Sequence, residues 1–211
     1  MTTTDWPPEH RVLIPNLSWQ TYEALLRDRG DEGPRLAYDR GTLEVMSPPQ
    51  KHERLKKVFA RLVEAFSEEL EIDIIGSGST TVKNQLKERG LEPDESYYVQ
   101  NEVRVLGKEI DLAVDPPPDL AIEIDLRRSG LPKLSMYAAL GIPEVWSHDG
   151  KRVIVHLLQD SGTFQASERS AAFPQLPLAD LTSYLERIRS ESDTQIVRAF
   201  RARVKETFRP G

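Results

Sequence analysis

In the stretch Pro118 to Leu126, Asp119, Ala121, Glu123 and Asp125 share one parity, and Leu120, Ile122, Ile124 and Leu126 share the other. Alternation with period two predicts a β-strand with one buried apolar face. The acids would then crowd the opposite face. Like charges on one strand repel, and a bound cation would relieve that conflict. Asp94 follows Pro93 and stands 29 positions before Glu123, at the start of a second predicted strand. If the two strands pair, Asp94 and Glu123 converge on one ion. Hard ions such as magnesium take oxygen ligands and keep several waters. They polarise a phosphodiester and lower the pKa of a bound water. Lys133 is the nearest lysine downstream of Glu123. It could reach back over the strand end to position the attacking water and neutralise developing charge. An amine to carboxylate separation of about 4 to 7 Å would leave room for a shared water or substrate oxygen. Along a strand, Asp125 lies roughly 7 Å from Glu123 and Asp119 roughly 13 Å. Asp119 therefore reads first as a strand-entry residue, and Asp111 and Asp115 as solvated loop acids.

The elements that must position these residues are legible in outline. Residues 1–17 read as an irregular arm with three prolines in the first fifteen positions. Ser18 can cap a helix carrying Trp19, Tyr22, Leu25 and Leu26 and ending near Gly30. Leu36, Tyr38, Leu43 and Val45 flank Asp39-Arg40-Gly41 and predict a β-hairpin. From His52 to Leu70, Leu55, Val58, Phe59, Leu62, Val63, Phe66 and Leu70 recur at helical spacing. Gly76-Ser77-Gly78-Ser79 lacks the Lys-Ser/Thr ending of a phosphate loop and reads as a turn. Strands are predicted at 80–85 and 97–99, and residues 100–117 form a charged connection ending in three prolines, a stiff entry to the acidic strand. A helix through Lys133, Met136, Tyr137 and Leu140 stops at Gly141. Val145-Trp146 and Val153 to Leu158 are strands joined by a turn at His148-Asp149-Gly150-Lys151. Two amphipathic helices, near 178–189 and 194–207, close the chain.

With 211 residues the chain can bury one real core. It has no cysteine, which excludes disulfides and thiolate metal sites. No apolar run nears the ~20 residues of a membrane span, and the first residues lack a basic region followed by an apolar core. A cytoplasmic location is the expectation. The net charge is −6, which argues against a broad nucleic-acid-binding coat. The acidity is local, however: ten acidic and two basic residues fall between Glu92 and Asp125. A polyanionic substrate is therefore compatible with the composition if a metal mediates the contact.

Pro93-Asp94 followed by Glu123-Ile124-Asp125 is similar to the PD-(D/E)XK nuclease pattern. The longer strings from Glu92 to Val99, from Ile110 to Asp125, Lys133-Leu134, and Tyr137 to Trp146 resemble the Uma-two family of endonucleases, abundant in cyanobacteria. Gly41 to Pro48 and His52-Glu53 resemble it too. The likeness spans roughly residues 18–185. It implies an α/β fold with a restriction endonuclease-like core: a mixed sheet flanked by helices, with an N-terminal helix and hairpin extension and a C-terminal helical extension over 186–211. It implies DNA as substrate and magnesium as cofactor, with manganese as a substitute. Asp94 and Glu123 match the two metal-binding acids, and the Ile124 carbonyl would be a further ligand. The usual lysine, two residues after the glutamate, is Asp125 here, and Lys133 on the following helix matches the position to which the family is thought to have moved it. His52 and Glu53 match an upstream motif where an acid can touch the metal or its waters. Nuclease-like folds often pair to cut two strands, which leaves a homodimer open.

Plainer readings stand beside these. His52 reads as a helix-start residue, His148 as a solvated turn residue, and Tyr137 and Trp146 as core. Arg127 and Arg128 could grip phosphates or sit in a solvated turn. The competing account of the whole chain is a nuclease-like scaffold that binds nucleic acid or protein without cutting, motivated by Asp125 in the lysine position.

Overall fold

The long apolar stripe between Leu55 and Phe66 and the alternating run at 120–124 together decide how the protein is layered, because each must bury its apolar face against the other. The computed structural model describes residues 10–30, 33–124 and 129–208. In chain order its first half comprises β1 (His10–Ile14), α1 (Trp19–Arg29), β2 (Arg35–Asp39), β3 (Thr42–Ser47), α2 (Gln50–Leu70), β4 (Ile75–Gly76), β5 (Val82–Asn84), β6 (Arg89–Leu91) and β7 (Glu95–Tyr98). Then follow α3 (Glu102–Val105), β8 (Leu120–Ile124), α4 (Lys133–Leu140), β9 (Glu144–His148), β10 (Val153–Leu158), β11 (Phe164–Ser167), α5 (Leu178–Glu186) and α6 (Asp193–Phe208).

The strands form two sheets, ordered β1-β3-β2-β6-β5 and β11-β10-β9-β8-β7-β4. The first is antiparallel throughout. In the second, β8 and β9 run parallel and α4 is the crossover between them, as parallel neighbours require. The larger core lies between this sheet and α2, α5 and α6. Leu55, Phe59 and Phe66 meet Ile122, Ile124 and Trp146 there, with Phe200 of α6 and Phe173 closing the far side. The other face of the sheet presents Ala121 and Val145 to Met136 and Tyr137 of α4. A third cluster stacks Tyr22 of α1 on Tyr38 of the hairpin, with Trp19 meeting both rings edge-on.

The expected hairpin forms with Asp39 opposite Thr42, and Ser18 caps α1 by accepting from the Thr21 N–H at 3.2 Å. Gly141 ends α4 in the left-handed conformation, which glycine adopts without steric cost. Other expectations are corrected. Part of the arm expected to be irregular, His10–Ile14, is a strand paired with β3; its residues are exposed or half-buried, so no apolar periodicity marks it. Strand β8 does not have one wet face: all five of its residues are buried, because α2 covers one side and α4 the other. His148 is not solvated but 4% exposed, with Nδ1 accepting from the Gly150 N–H at 3.1 Å. Asp125, Arg127 and Arg128 lie outside the described residues. Among the described residues no helix is long and apolar enough to cross a membrane.

Candidate active site

Strands β7 and β8 pair antiparallel with Glu95 opposite Ile122. Asp94 lies just before β7, outside the ladder, and its N–H donates to the Ile122 carbonyl at 3.0 Å. Arg35 on Asp94 and Lys133 on Glu123 each also feel the charge of the other acid. The two acids singled out in the sequence therefore belong to one charged cluster, and both are nearly inaccessible, at 1% and 3%.

Each carboxylate is met by a different set of donors. Asp94 Oδ2 accepts from the Ile124 N–H at 2.5 Å, and Oδ1 accepts from the Arg35 guanidinium. The His52 ring, fully buried at the start of α2, stands with Nε2 3.2 Å from Asp94 Oδ2 and Nδ1 3.5 Å from Glu53 Oε1. Both approaches are close enough for ion pairing but lack hydrogen-bond alignment. Glu123 accepts from Lys133 Nζ at 2.5 Å and from the Tyr137 hydroxyl. The lysine thus makes a direct contact, tighter than the water-bridged separation expected from the sequence.

The electrostatics follow from burial and pairing. Burial alone would raise the Asp94 carboxyl, but His52, Arg35 and Lys133 outweigh it and hold the group below the usual carboxylate range. Burial works against protonation of His52, yet the facing Asp94 and Glu53 carboxylates push it up to about 9. Lys133 is likewise disfavoured by burial and restored by Glu123 and Asp94, so its pKa ends above the ordinary value. At neutral pH a charged Asp94 therefore faces charged His52 and Lys133.

Other acids in the fold hold it together. Asp119 Oδ2 accepts from the N–H groups of Val99, Gln100 and Asn101 at 2.8 to 2.9 Å. Glu144 accepts from Trp146 Nε1 and from the N–H groups of Ala171 and Ala172. Glu92 takes Arg29 and the Leu36 N–H, which ties β2, and with it Arg35, to the Pro93-Asp94 turn. Glu44 of β3 accepts from Ser129 Oγ and the Gly130 N–H, anchoring the approach to α4. Asp119 and Glu144 are satisfied largely by main-chain donors, which are fixed. Asp94 and Glu123 are met mainly by side chains, which can yield to a ligand.

Sequence reasoning assigned no role here to Arg35 or Tyr137 and gave His52 a structural one. Tyr137 could have been found, because it follows Lys133 by four residues and so shares its helix face. Arg35, beside Pro34 at the mouth of the hairpin, carries no such signal.

Comparison with known proteins bears on this geometry. The Uma2 family model, described as "Putative restriction endonuclease", matches residues 19–188. The chain belongs to the Uma2 family. Among solved structures it is similar to a protein from Anabaena variabilis ATCC 29413 described as a putative nuclease belonging to DUF820. That match has a TM-score of 0.56 and 16% identity, and covers 80% of this chain and 99% of the other. None of the curated proteins compared with the chain matches it. Within the Uma2 match lie Asp94, Glu123, Lys133 and their partners Arg35, His52 and Tyr137. The fold is that of a restriction endonuclease-like nuclease, and the family points to phosphodiester chemistry.

Proposed function

We propose that the protein is a magnesium-dependent endonuclease that hydrolyses phosphodiester bonds in DNA, with manganese able to replace magnesium. The observation that carries this reading is the charged cluster that joins Asp94, just before β7, to Glu123 of β8, with Arg35 on the first carboxylate and Lys133 on the second. The donor set fits a hard divalent ion. Asp94 and Glu123 would supply two oxygen ligands, and magnesium commonly completes its shell with waters and phosphate oxygens. Such an ion would supply Lewis acidity at the phosphorus and a water of lowered pKa.

The chain's own residues do the rest. The Ile124 N–H fixes one oxygen of Asp94, and the Tyr137 hydroxyl fixes one of Glu123, leaving each carboxylate a defined orientation. Lys133, protonated beside two acids, neutralises negative charge as it develops on the phosphate oxygens. Arg35 and His52 balance Asp94 when substrate is absent and can turn to phosphate when it arrives. The test is a cleavage screen on single-stranded, duplex and branched DNA with magnesium or manganese, using Glu123→Ala as control. Cleavage that needs the ion and is lost in the variant supports the reading. An inert protein on all substrates with both ions overturns it.

One observation favours a second reading. Both site carboxylates are already matched by protein donors, so the site is electrically balanced without metal. A scaffold that binds nucleic acid or protein without cutting would look the same, and it predicts binding with no cleavage and no titratable metal.

A further inference from the structure

Helix α2 carries its charge in the order that helix electrostatics disfavour. Lys51, Arg54, Lys56, Lys57 and Arg61 fall in the first twelve residues of α2, whereas Glu64, Glu68 and Glu69 fall in the last seven and Glu71 caps its end. The helix dipole is positive at the N-terminus and stabilises acids there and bases at the C-terminus. The last turn holds no basic residue, and the first holds a single acid, Glu53. Stability does not explain this order.

Geometry gives it a direction. Residues 53, 56, 57, 60, 61 and 64 are spaced at three and four, so they form one stripe along the helix. That stripe lines a surface cleft whose strand-side wall is Glu95, the residue after Asp94. A second cleft shares Glu53 and Lys56 and continues to Arg29 and Arg35. Arg35 binds Asp94 directly, and Glu53 stands against His52. The stripe therefore runs into the site. Arg54 is spent on structure, through Asp193 and the carbonyls of Ile188 and Glu191. Lys56, Lys57 and Arg61 have no ion pair among the described residues.

We propose that Lys56, Lys57 and Arg61 on α2 form a phosphate track that carries the DNA backbone from the helix into the Asp94–Glu123 site. The proposal rests on the nuclease reading for the identity of its ligand. Lys57 and Arg61 are about 6 Å apart along the helix axis, so their extended side chains can each meet a phosphate of one strand. The cationic order of α2 is then the cost of holding a polyanion against an acidic protein.

The test measures binding and cleavage separately. Binding of a fluorescent 30-base-pair duplex, and of one of its strands alone, is followed by anisotropy in EDTA across a salt series. The proteins are the intact chain, Lys57→Ala/Arg61→Ala, and a control of equal charge change on the other sheet, Lys83→Ala/Lys87→Ala. Two lost phosphate contacts lower the slope of log K against log salt by about 1.8 on duplex or about 1.4 on single strand. The track predicts that drop in Lys57→Ala/Arg61→Ala alone, with Tm unchanged or raised. In magnesium it predicts a higher KM with kcat retained. An unchanged slope, an equal drop in the control, or no binding by the intact chain overturns it. An intact chain that binds with the steep slope but never cuts leaves the track standing and removes the nuclease reading. One that cuts with the slope of the variant unchanged removes only the track.

Discussion

At the scale of single residues, Tyr137 and Asp94 do different work on neighbouring carboxylates. The Tyr137 hydroxyl donates to Glu123 from within the core, so Tyr137→Phe removes an orienting bond without opening a cavity. Outer partners of this kind are worth about 10–100-fold in activity or metal affinity. That loss, with the unfolding midpoint nearly unchanged, is the expected result of steady-state cleavage and urea titration. Asp94 has a heavier structural burden. Arg35 and His52 lose their nearer counter-charge in Asp94→Ala and keep only the half-exposed Glu53, so the loss should approach the roughly 3–5 kcal/mol of a buried charge stripped of its partner. Chemical denaturation should show that loss. Glu123→Gln, which keeps the shape and the hydroxyl contact, is the cleaner probe of chemistry.

At the scale of elements, two polar anchors hold the strands that carry the site. Asp119 accepts three main-chain N–H bonds and one from Asn101 at the entry to β8. Hydrogen bonds to a charged group contribute about 1.5–3 kcal/mol each, and orphaned buried donors add their own penalty. Asp119→Ala should therefore cost at least about 3 kcal/mol in urea unfolding and reduce activity only through lost fold. At the far end of β9, burial lowers the pKa of His148, and its Nδ1 accepts from the Gly150 N–H, a bond only the neutral ring can make. The folded-state pKa is depressed, so the stability it contributes is full above the unfolded value near 6.5 and is lost as the pH falls through the lower folded value. Denaturant midpoints between pH 8 and 5 should fall for the wild type and stay flatter for His148→Asn, whose amide can accept the same bond.

At the scale of the whole molecule, the sequence was informative where local pattern and burial agree. The helical stripe from Leu55 to Phe66, the hairpin around Gly41 and the stop at Gly141 are each governed by neighbours in the chain, and each formed. The acidic strand was legible as a strand but not as a doubly buried one, because its covering by α2 and α4 is a long-range fact. The meeting of Asp94 with Glu123 was a conditional expectation; β7 and β8 do pair, with Asp94 just outside the end of their ladder. Arg35 and His52 reach Asp94 from the hairpin and from α2, 59 and 42 positions away in the chain. No spacing rule links them, so the charge balance of the site could be seen only once the two sheets were assembled. The same assembly places α2 beside the site and gives its reversed charge order a use.

The claim on which the account turns is that Asp94 and Glu123 together hold one divalent ion. Calorimetric titration of magnesium into the wild type, Asp94→Asn and Glu123→Gln tests it most directly. The account predicts a single site in the wild type that is absent from both variants while their folds persist. A wild type that takes up no magnesium, or a site that survives in both folded variants, would contradict it.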